Sequence, residues 1–346
     1  MNRVHKQILR SLLHSPKSFW QLIRDQNTHL AGYTQALASL AEQDLVKEKN
    51  HLLELTEKGN EAARREGLIP YQNVTCTHCA GRGISLESFF KNLTQEFCRI
   101  AAFRPQAIPE FDQGYIEPEI TVARAAFMYA RGDLEGQKII ILGDDDLTSL
   151  AVALTGLPKE ITVLEIDERI LDFINRVAAE RKWGHLKTYK YDVREPLPAG
   201  LAGKYDTFFT DPVETLPGLK LFLSRCTEAL KGRESAGYLG LTHLEASRQK
   251  WYSIQKMFLE MGFVITDLIY NFHCYDLERS TFIKRNYPVI EASPFNLSVP
   301  DVNWYTSNLI RLEAVQDPRP LTRGAVQLGR ELYFDEEAHA TLPLRS

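Results

Sequence analysis

Six apolar runs, separated by segments of helical periodicity, constrain the fold of this chain more than any other feature. Strands that are buried on both faces have such continuous, β-branched runs, and their alternation with helices is typical of a largely parallel, doubly wound α/β sheet. Ligands of such sheets lie outside the carboxyl ends of the strands, so the residues that end each run are candidate site residues. The runs are KIIILG (138–143), ITVLEI (161–166), YDTFFTD (205–211), GYLGLT (237–242), GFVITDLIYNF (262–272) and NLIRLEAV (308–315).

The first 75 residues have a different pattern and predict a separate domain. Apolar residues at helical spacing predict three short helices, and the alternating stretch VKEKNHLLELTEKG (46–59) predicts a hairpin that is followed by a further helix. Three helices with a two-stranded wing resemble a winged helix-turn-helix domain. We therefore predict a winged-helix domain over residues 1–75 and a second domain over residues 76–346.

The winged-helix pattern raises the alternative of a DNA-binding regulator that carries a ligand-sensing α/β domain. The candidate recognition helix, Leu30–Gln43, contains no Lys or Arg, and residues 1–70 hold ten basic against eight acidic residues. This small surplus of positive charge offers few contacts to the phosphates of a nucleic acid. The sequence therefore favours a packing or dimerisation role, with a possible homo-oligomer, over nucleic-acid binding.

Composition limits the class of ligand and the location that are expected for this chain. A formal net charge of −4 argues against a protein that coats nucleic acid and is compatible with a cationic ligand. The N-terminus lacks the pattern of a signal peptide, and no segment approaches the roughly 18 apolar residues of a membrane span. Five cysteines, an odd number without an export signal, predict reduced thiols and a cytoplasmic location.

Cys76 and Cys79 have the spacing of half a zinc site. A structural zinc ion needs four ligands, and His78 is the one further candidate nearby. The other three cysteines are scattered along the chain. We predict no metal here unless the fold or a second subunit completes the site.

Three consecutive carboxylates, Asp144, Asp145 and Asp146, follow the first run, where nucleotide-binding loops usually place glycines. They could simply cap the following helix, because Asp at a helix start accepts free N–H groups. One Asp suffices for that, and three adjoining carboxylates should raise at least one pKa by mutual repulsion. A bound cation would offset the repulsion, which favours a cationic ligand.

Acids also end the later runs. Glu165 can accept both hydroxyls of a ribose, or it is an ordinary exposed acid at a strand end. Asp192 lies one strand further on, where an adenine amino group would need an acceptor; the alternative is a simple turn residue. Asp211 and Glu214 follow the next strand end and would face the reacting centre.

With the motif GDDDLTS (143–149) in view, the chain resembles the branched-chain polyamine synthases, or N(4)-bis(aminopropyl)spermidine synthases, over essentially its whole length. The stretch Phe111–Ala151 and the strand end Thr210-Asp211-Pro212 carry the resemblance. More distantly, LEIDERI and YDTFFTD look like the strand ends of linear spermidine synthases, which have a methyltransferase-like fold. The resemblance implies that fold, a thermophilic source, ribose binding at Glu165, adenine contact at Asp192, and amine binding or proton abstraction at Asp146 and Asp211.

Charge supplies a chemical reason for this function. Ordinary S-adenosylmethionine carries a carboxylate near the first loop, whereas the decarboxylated form ends in an ammonium, so Asp144 to Asp146 would repel the first and attract the second. We expect aminopropyl transfer from decarboxylated S-adenosylmethionine, the co-substrate, to the secondary amine of spermidine, with no other cofactor. Asp146 or Asp211 is the expected base, and the remaining loop acids and Glu214 are the expected ammonium anchors.

Three residues ahead of the first strand, Gln113, Tyr115 and Glu117, are expected to close over the donor, since an aromatic face suits a sulfonium or an ammonium. Otherwise they are ordinary linker and helix-start residues. The open alternatives in function are an ordinary methyltransferase, a linear polyamine synthase and the ligand-sensing regulator.

Overall fold

A computed structural model of the chain describes residues 1–108, 111, 113–276 and 287–341. The stretch Phe111–Ala151 and the predicted second domain therefore each include positions outside the described residues. The described part contains a seven-stranded sheet, a two-stranded sheet and helices that pack on both. None of these helices combines the length and the apolar character needed to cross a bilayer.

The elements follow one another in chain order. The helices are α1 Arg3–His14, α2 Phe19–Arg24, α3 Leu30–Glu42, α4 Glu57–Arg65, α5 Phe89–Ala101, α6 Pro118–Ala130, α7 Thr148–Leu154, α8 Glu168–Glu180, α9 Leu216–Ala229, α10 Arg248–Met261 and α11 Pro288–Glu291. The strands are β1 Val46–Lys49, β2 Leu52–Leu55, β3 Lys138–Leu142, β4 Glu160–Glu165, β5 Leu186–Lys190, β6 Thr207–Thr210, β7 Ala236–Leu241, β8 Phe263–Cys274 and β9 Thr306–Ala314.

The large sheet has the strand order β5-β4-β3-β6-β7-β9-β8. Neighbours from β5 to β7 pair in parallel, whereas β9 lies antiparallel between β7 and β8. All six apolar runs form strands of this sheet, so the prediction of a mostly parallel α/β sheet is confirmed. The remaining strand, β5, is at the sheet edge, and its sequence LKTYK lacks an apolar run because most of its side chains are exposed or half-buried.

Alternate residues of the central strands face two separate cores. On β3, Ile139 and Ile141 belong to a core with α5 to α8, and Ile140 and Leu142 belong to a second core with α9 and α10. Successive side chains of a strand point to opposite faces, so both faces of the sheet are covered. The strand ends, rather than the faces, remain open for a site.

The N-terminal unit, residues 1–75, contains α1 to α4 and the antiparallel β1–β2 hairpin, in the order that the periodicity predicted. Its core extends into the segment before β9. Trp20 packs on Trp304 with 5.1 Å between ring centroids, and its indole N–H donates to the Ser298 carbonyl oxygen at 2.9 Å. The Ser18 hydroxyl, which caps α2, also donates to Asp301 at 2.6 Å. These contacts fix the unit to the rest of the chain.

Candidate active site

A cavity of about 230 Å³ opens at the carboxyl ends of the parallel strands. Its walls come from residues at or after the ends of β3, β4, β5, β6, β7 and β8. Open α/β sheets bind their ligands at this edge. The strand-end residues selected from the sequence therefore face the right region of the molecule.

Acidic side chains dominate the polar part of the cavity wall. Seven carboxylates line the cavity, whereas no Lys, Arg or His is among its described lining residues. Like charges at this density repel, so either burial keeps some of them protonated or a cation offsets them. A polycationic ligand meets the second condition. The acids are Asp145, Glu165, Asp192, Asp211, Glu214, Glu245 and Asp276.

Aromatic rings form much of the remaining wall. Tyr275 and Tyr305 meet edge to face with 5.3 Å between centroids. Aromatic faces attract sulfonium and ammonium groups, so the rings and the acids favour the same class of ligand. The aromatic lining residues are Phe111, Tyr115, Tyr191, Phe222, Tyr275, Tyr287, Tyr305 and Tyr333.

The loop after β3 turns at Gly143, whose φ of +74° lies in the left-handed region that favours glycine. Asp144 is buried next to this turn and accepts the backbone N–H of Ser149, in the first turn of α7, at 3.2 Å. Burial raises the pKa of Asp144 to about 8. Asp144 does not line the cavity, so its position fits the capping alternative rather than direct ligand contact.

Asp145 is the loop acid that lines the cavity. Its carboxylate accepts no hydrogen bond from the residues that the structure describes. Burial raises the pKa of Asp145 well above its ordinary value, and the nearby carboxylates of Asp146, Glu165 and Asp211 raise it further. A cavity carboxylate with a raised pKa is a candidate for proton transfer.

Asp146 lies behind the cavity wall rather than in it. Its side chain is buried and accepts the Ile116 backbone N–H and the Arg124 Nη1 hydrogen, both at 2.9 Å. A base must come within hydrogen-bond reach of the amine whose proton it takes. The structure therefore does not bring the predicted base Asp146 to the cavity, because the buried Arg124 guanidinium holds its carboxylate.

Asp211, at the end of β6, joins the same guanidinium to the cavity. Its Oδ2 accepts Arg124 Nη2 at 2.6 Å and the Tyr275 hydroxyl at 3.0 Å. Burial raises the pKa of Asp211, and these two donors act in the opposite direction. Asp211 thus presents an anchored carboxylate to the cavity.

Glu165 and Asp192 lie at neighbouring strand ends on the cavity wall. Glu165 accepts three backbone N–H groups at 2.7 to 2.9 Å, and burial raises its pKa. Asp192 accepts the Arg194 guanidinium at 2.6 Å, and these hydrogen bonds lower the pKa of Asp192. Both carboxylates are held in one orientation by their partners.

Of the remaining predicted residues, Gln113, Tyr115 and Glu214 line the cavity. Glu117 does not. It immediately precedes α6, and its Oε1 accepts the Asn303 side-chain amide at 3.1 Å. The structure therefore brings together all of the predicted contact residues except Asp144, Asp146 and Glu117.

Residues 92–340 match the model of the family described as the branched-chain polyamine synthase A C-terminal domain. The chain is 37% identical to N(4)-bis(aminopropyl)spermidine synthase of Thermococcus kodakarensis, over 96% of this chain and 93% of that protein. Identity to the protein of the same name from Methanocaldococcus jannaschii is also 37%, over 97% and 94%. The chain belongs to the branched-chain polyamine synthase family.

A solved branched-chain polyamine synthase has the same fold along nearly the whole chain. The crystal structure of the Thermus thermophilus protein, in complex with N4-aminopropylspermidine and 5′-methylthioadenosine, has a TM-score of 0.85 and 37% identity, over 97% of this chain and 93% of that one. The resemblance inferred from the GDDD motif is thus confirmed. The family model covers all seven cavity acids, and the full-length relatives cover the N-terminal unit as well.

Several lining or supporting residues of this branched-chain polyamine synthase were missed from the sequence. Glu245 follows the run GYLGLT by three positions and could have been found by the same strand-end rule as the other acids. Arg124 is a lone cation in the apolar segment TVARAAFMYA, a pattern that indicates a buried ion pair. Tyr275 had no comparable signal, since one tyrosine after a long strand is ordinary.

Cys76 and Cys79 lie in the connector between the N-terminal unit and α5. The Cys79 Sγ accepts the Gly83 backbone N–H at 3.4 Å, and Cys76 is exposed. Across the described ranges, no group of three or more His, Cys, Asp or Glu side chains is placed to hold a metal ion.

Proposed function

We propose that this branched-chain polyamine synthase transfers aminopropyl groups from decarboxylated S-adenosylmethionine to the secondary nitrogen of spermidine. Two transfers would give N(4)-bis(aminopropyl)spermidine, with release of methylthioadenosine each time. The observation that carries the proposal is a cavity lined by seven carboxylates and, among the described residues, by no basic side chain. The solved relative, with a branched polyamine and methylthioadenosine in one complex, supports this pairing of ligands.

The nucleoside of the donor is assigned to the end of the cavity formed by Glu165 and Asp192. A carboxylate at the end of β4 can accept both ribose hydroxyls, and the next strand end offers an acceptor for the adenine amino group. Three backbone N–H groups orient Glu165, and Arg194 keeps Asp192 ionised. Apolar Leu164 and Val193 are adjacent lining residues that can pack on the base.

The aminopropyl end of the donor is assigned to the acidic wall around Asp145, which includes Glu165 and Asp211. The donor ammonium would offset the repulsion among these carboxylates, which adds to the effect of burial in raising the pKa of Asp145. Ordinary S-adenosylmethionine would instead add a carboxylate to a cavity already crowded with acids. Close like-charge contacts cost several kcal/mol, which is enough to exclude it.

The transfer is a displacement at carbon. The lone pair of the neutral amine forms the new C–N bond while the C–S bond breaks, and the electrons of that bond stay on sulfur as a thioether. Because a protonated amine has no lone pair, a carboxylate must take the proton from the acceptor nitrogen before each attack. The sulfonium is a good leaving group, so in-line placement supplies much of the rate and a metal is not required.

The proton is assigned to Asp145, and Asp211 is assigned as a fixed anion. The environments of the two acids differ: Asp145 accepts no hydrogen bond from described residues, whereas Asp211 accepts two, one of them from a guanidinium. Paired acids whose environments differ in this way commonly divide base and anchor roles. Asp146 is assigned a supporting role through Arg124.

Acids at the other strand ends are assigned to the terminal ammonium groups of the acceptor. Glu214, Glu245 and Asp276 line this part of the cavity. Glu245 is oriented by the Tyr305 hydroxyl, which donates at 2.8 Å, and by the Ala340 backbone N–H at 2.6 Å. Several separated anions suit a linear polycation with widely spaced charges.

Residues 1–75, as a winged helix-turn-helix unit, are assigned a supporting role next to a methyltransferase-like catalytic domain of residues 76–346. The N-terminal residues of a recognition helix are those that contact bases in DNA complexes. Here the first N–H of α3, from Leu30, donates to the Leu244 carbonyl oxygen at 2.7 Å, next to cavity residue Glu245. Since this helix start is docked on the residue next to a cavity acid, the contacts favour support of the site over DNA binding.

The test is to incubate the protein with spermidine and either S-adenosylmethionine or its decarboxylated form, and to identify the products by mass spectrometry. We expect one and then two added aminopropyl groups with the decarboxylated donor alone, on the central nitrogen. Methylated spermidine from the intact donor would instead indicate a methyltransferase. Addition confined to a terminal nitrogen would indicate a linear polyamine synthase.

A further inference from the structure

A closed ring of hydrogen bonds lies beneath Asp211 and includes three side chains outside the roles assigned above. Arg124 Nε donates to His273 Nε2 at 2.9 Å, and His273 Nδ1 lies 2.7 Å from the Ser307 Oγ. Ser307 Oγ lies 3.1 Å from the Tyr275 hydroxyl, which donates to Asp211 Oδ2 at 3.0 Å. Arg124 Nη2 closes the ring on the same Oδ2 at 2.6 Å.

The chemistry of the partners sets one direction for every bond in the ring. A guanidinium is donor only, so His273 Nε2 must accept from Arg124, and the ring proton of a neutral imidazole is then on Nδ1. Burial, reinforced by the adjacent guanidinium, lowers the pKa of His273 well below its ordinary value, which keeps it neutral. His273 Nδ1–H therefore donates to Ser307, Ser307 donates to Tyr275, and Tyr275 donates to Asp211.

Asp211 is the end point of both arms of the ring. Its Oδ2 receives both donors, while its Oδ1 packs against β7 at Gly240, where an added Cβ would lie only 2.0 Å from this oxygen. The absence of a side chain at position 240 thus gives the carboxylate its space, and the two donors set its rotation. His273 and Ser307 are buried and neither lines the cavity.

We propose that Tyr275, Ser307 and His273 form a one-directional relay that positions Asp211 as a fixed anion for an ammonium group of the polyamine. Tyr275 reaches the cavity, and Ser307 and His273 are positioning residues that act through it. This inference rests on the proposed function, since it names how the acceptor side of that site is built. The relay sets the direction of the Tyr275 proton, without which the hydroxyl could accept from the ligand rather than donate to Asp211.

Charged groups outside the relay also act on Asp211. Arg124 from α6 and the loop acids Asp145 and Asp146 after β3 act through their charges, and the Tyr275 hydroxyl after β8 donates to the carboxylate. Arg124 and the loop acids stay in place when the relay is cut at Ser307 or Tyr275. A change seen in those variants therefore reports the relay itself. The neutral His273 contacts Arg124 and Ser307 rather than Asp211 itself.

The test compares Tyr275→Phe, Ser307→Ala and His273→Gln with Tyr238→Phe as a matched control. Tyr238 is a buried tyrosine of β7 whose hydroxyl bonds to Asp133 and Arg311, outside the cavity. The measurements are kcat/KM for spermidine across pH and spermidine affinity by calorimetry without donor. Thermal melting identifies the variants that fold, and Ser307→Ala, which removes a single oxygen, carries the test if Tyr275→Phe does not fold.

We expect the acidic limb of kcat/KM to move up by about one pH unit in Tyr275→Phe, the effect of one hydrogen bond to an ionised group. Ser307→Ala should move the acidic limb by less. His273→Gln should keep the bond from Arg124 but lose the donor to Ser307. Tyr238→Phe should leave the limb unmoved. Spermidine affinity should fall in the same order and more at low pH. A loss that is uniform across pH, or equal in Tyr238→Phe, would overturn the relay.

The outcome is separable from the proposed function. If the unchanged protein forms no branched product, the proposed function fails, while the calorimetric comparison still tests the relay. If the product forms but the acidic limb stays in place in Tyr275→Phe and Ser307→Ala, the relay alone is wrong.

Discussion

Arg124 and Asp211 form an ion pair with 2.6 Å between Nη2 and Oδ2, across the boundary between a buried helix and the cavity. The Arg124 side chain is fully buried, whereas 17% of the Asp211 side chain remains exposed. The same guanidinium holds Asp146 at 2.9 Å. The Arg124 guanidinium therefore pairs with two carboxylates but does not itself line the cavity. The cavity surface stays anionic for its ligand.

Removal of the Arg124 charge should destabilise the fold strongly. We expect Arg124→Met to lower the free energy of unfolding by about 3–5 kcal/mol, because the buried Asp146 would keep only the more distant Arg104, at 3.9 Å, as a cationic partner. Urea unfolding measures the change. Arg131→Met is the control, since Arg131 pairs with Asp267 near the surface and its loss should cost about 1 kcal/mol or less. Equal effects of the two substitutions would contradict the central role of Arg124.

The three loop aspartates should differ in their effect on turnover. We expect Asp145→Asn to lower kcat by about 10²- to 10⁴-fold, the usual contribution of a positioned base. Asp146→Asn keeps one acceptor oxygen for Arg124, loses the acceptor of the Ile116 N–H and does not change the cavity wall, so its loss should be closer to tenfold, or about 1.4 kcal/mol. Steady-state kinetics of the two isosteric variants decide the assignment. Near-normal turnover in Asp145→Asn with a large loss in Asp146→Asn would return the base to Asp146.

Asp144 should make stability depend on pH in an unusual direction. Its pKa is raised from 3.8 to about 8 by burial, so the folded state holds this proton more tightly than the unfolded chain. The stability it contributes is fully present below pH 3.8 and is lost as the pH rises through 8. Asp144→Asn removes this loss and should raise the melting temperature by about 2–4 °C more at alkaline than at acidic pH.

Asp192→Asn is the matched control for that experiment, because the hydrogen bonds from Arg194 lower the pKa of Asp192. The contribution of Asp192 is present at neutral pH and is lost as the pH falls through its lowered pKa. Its substitution should therefore destabilise the protein at neutral and alkaline pH and matter little in acid. A parallel pH dependence in both variants would refute the burial argument for Asp144.

The sheet could be predicted because burial of both faces gives each strand an apolar run, as in Ile139 to Leu142. Strand direction could not, since the apolar run of β9 is the same whether it pairs parallel or, as found, antiparallel with β7. The edge strand β5 carries no such run because few of its side chains are buried.

The site was predictable at the level of strand ends but not of individual side chains. The strand-end rule led to Glu165, Asp192 and Asp211, since each follows an element whose position is fixed by the core. Which of three consecutive aspartates faces the ligand depends on the left-handed turns at Gly143 and Leu147, and the residue types alone do not fix these angles. Helix α6 supplies Arg124 from about 20 positions upstream, a contact that only the fold creates.

Trp304 should link the N-terminal unit to the acceptor side of the cavity. Trp304 packs on Trp20 at 5.1 Å and on Tyr305 at 5.7 Å between ring centroids, and Tyr305 both lines the cavity and orients Glu245. Trp304→Ala would leave a void between these rings, with a cost of about 3–5 kcal/mol in stability.

Its effect on kinetics should fall on one substrate. We expect the KM for spermidine to rise by about tenfold, a change of about 1.4 kcal/mol, with little change for the donor, because the donor is assigned to the opposite strand ends. Trp183→Ala, in the loop before β5, should cost stability without this selectivity, since Trp183 packs against a different core. If Trp304→Ala leaves both KM values unchanged, or raises both alike, the N-terminal unit does not support the acceptor side and its role must lie elsewhere.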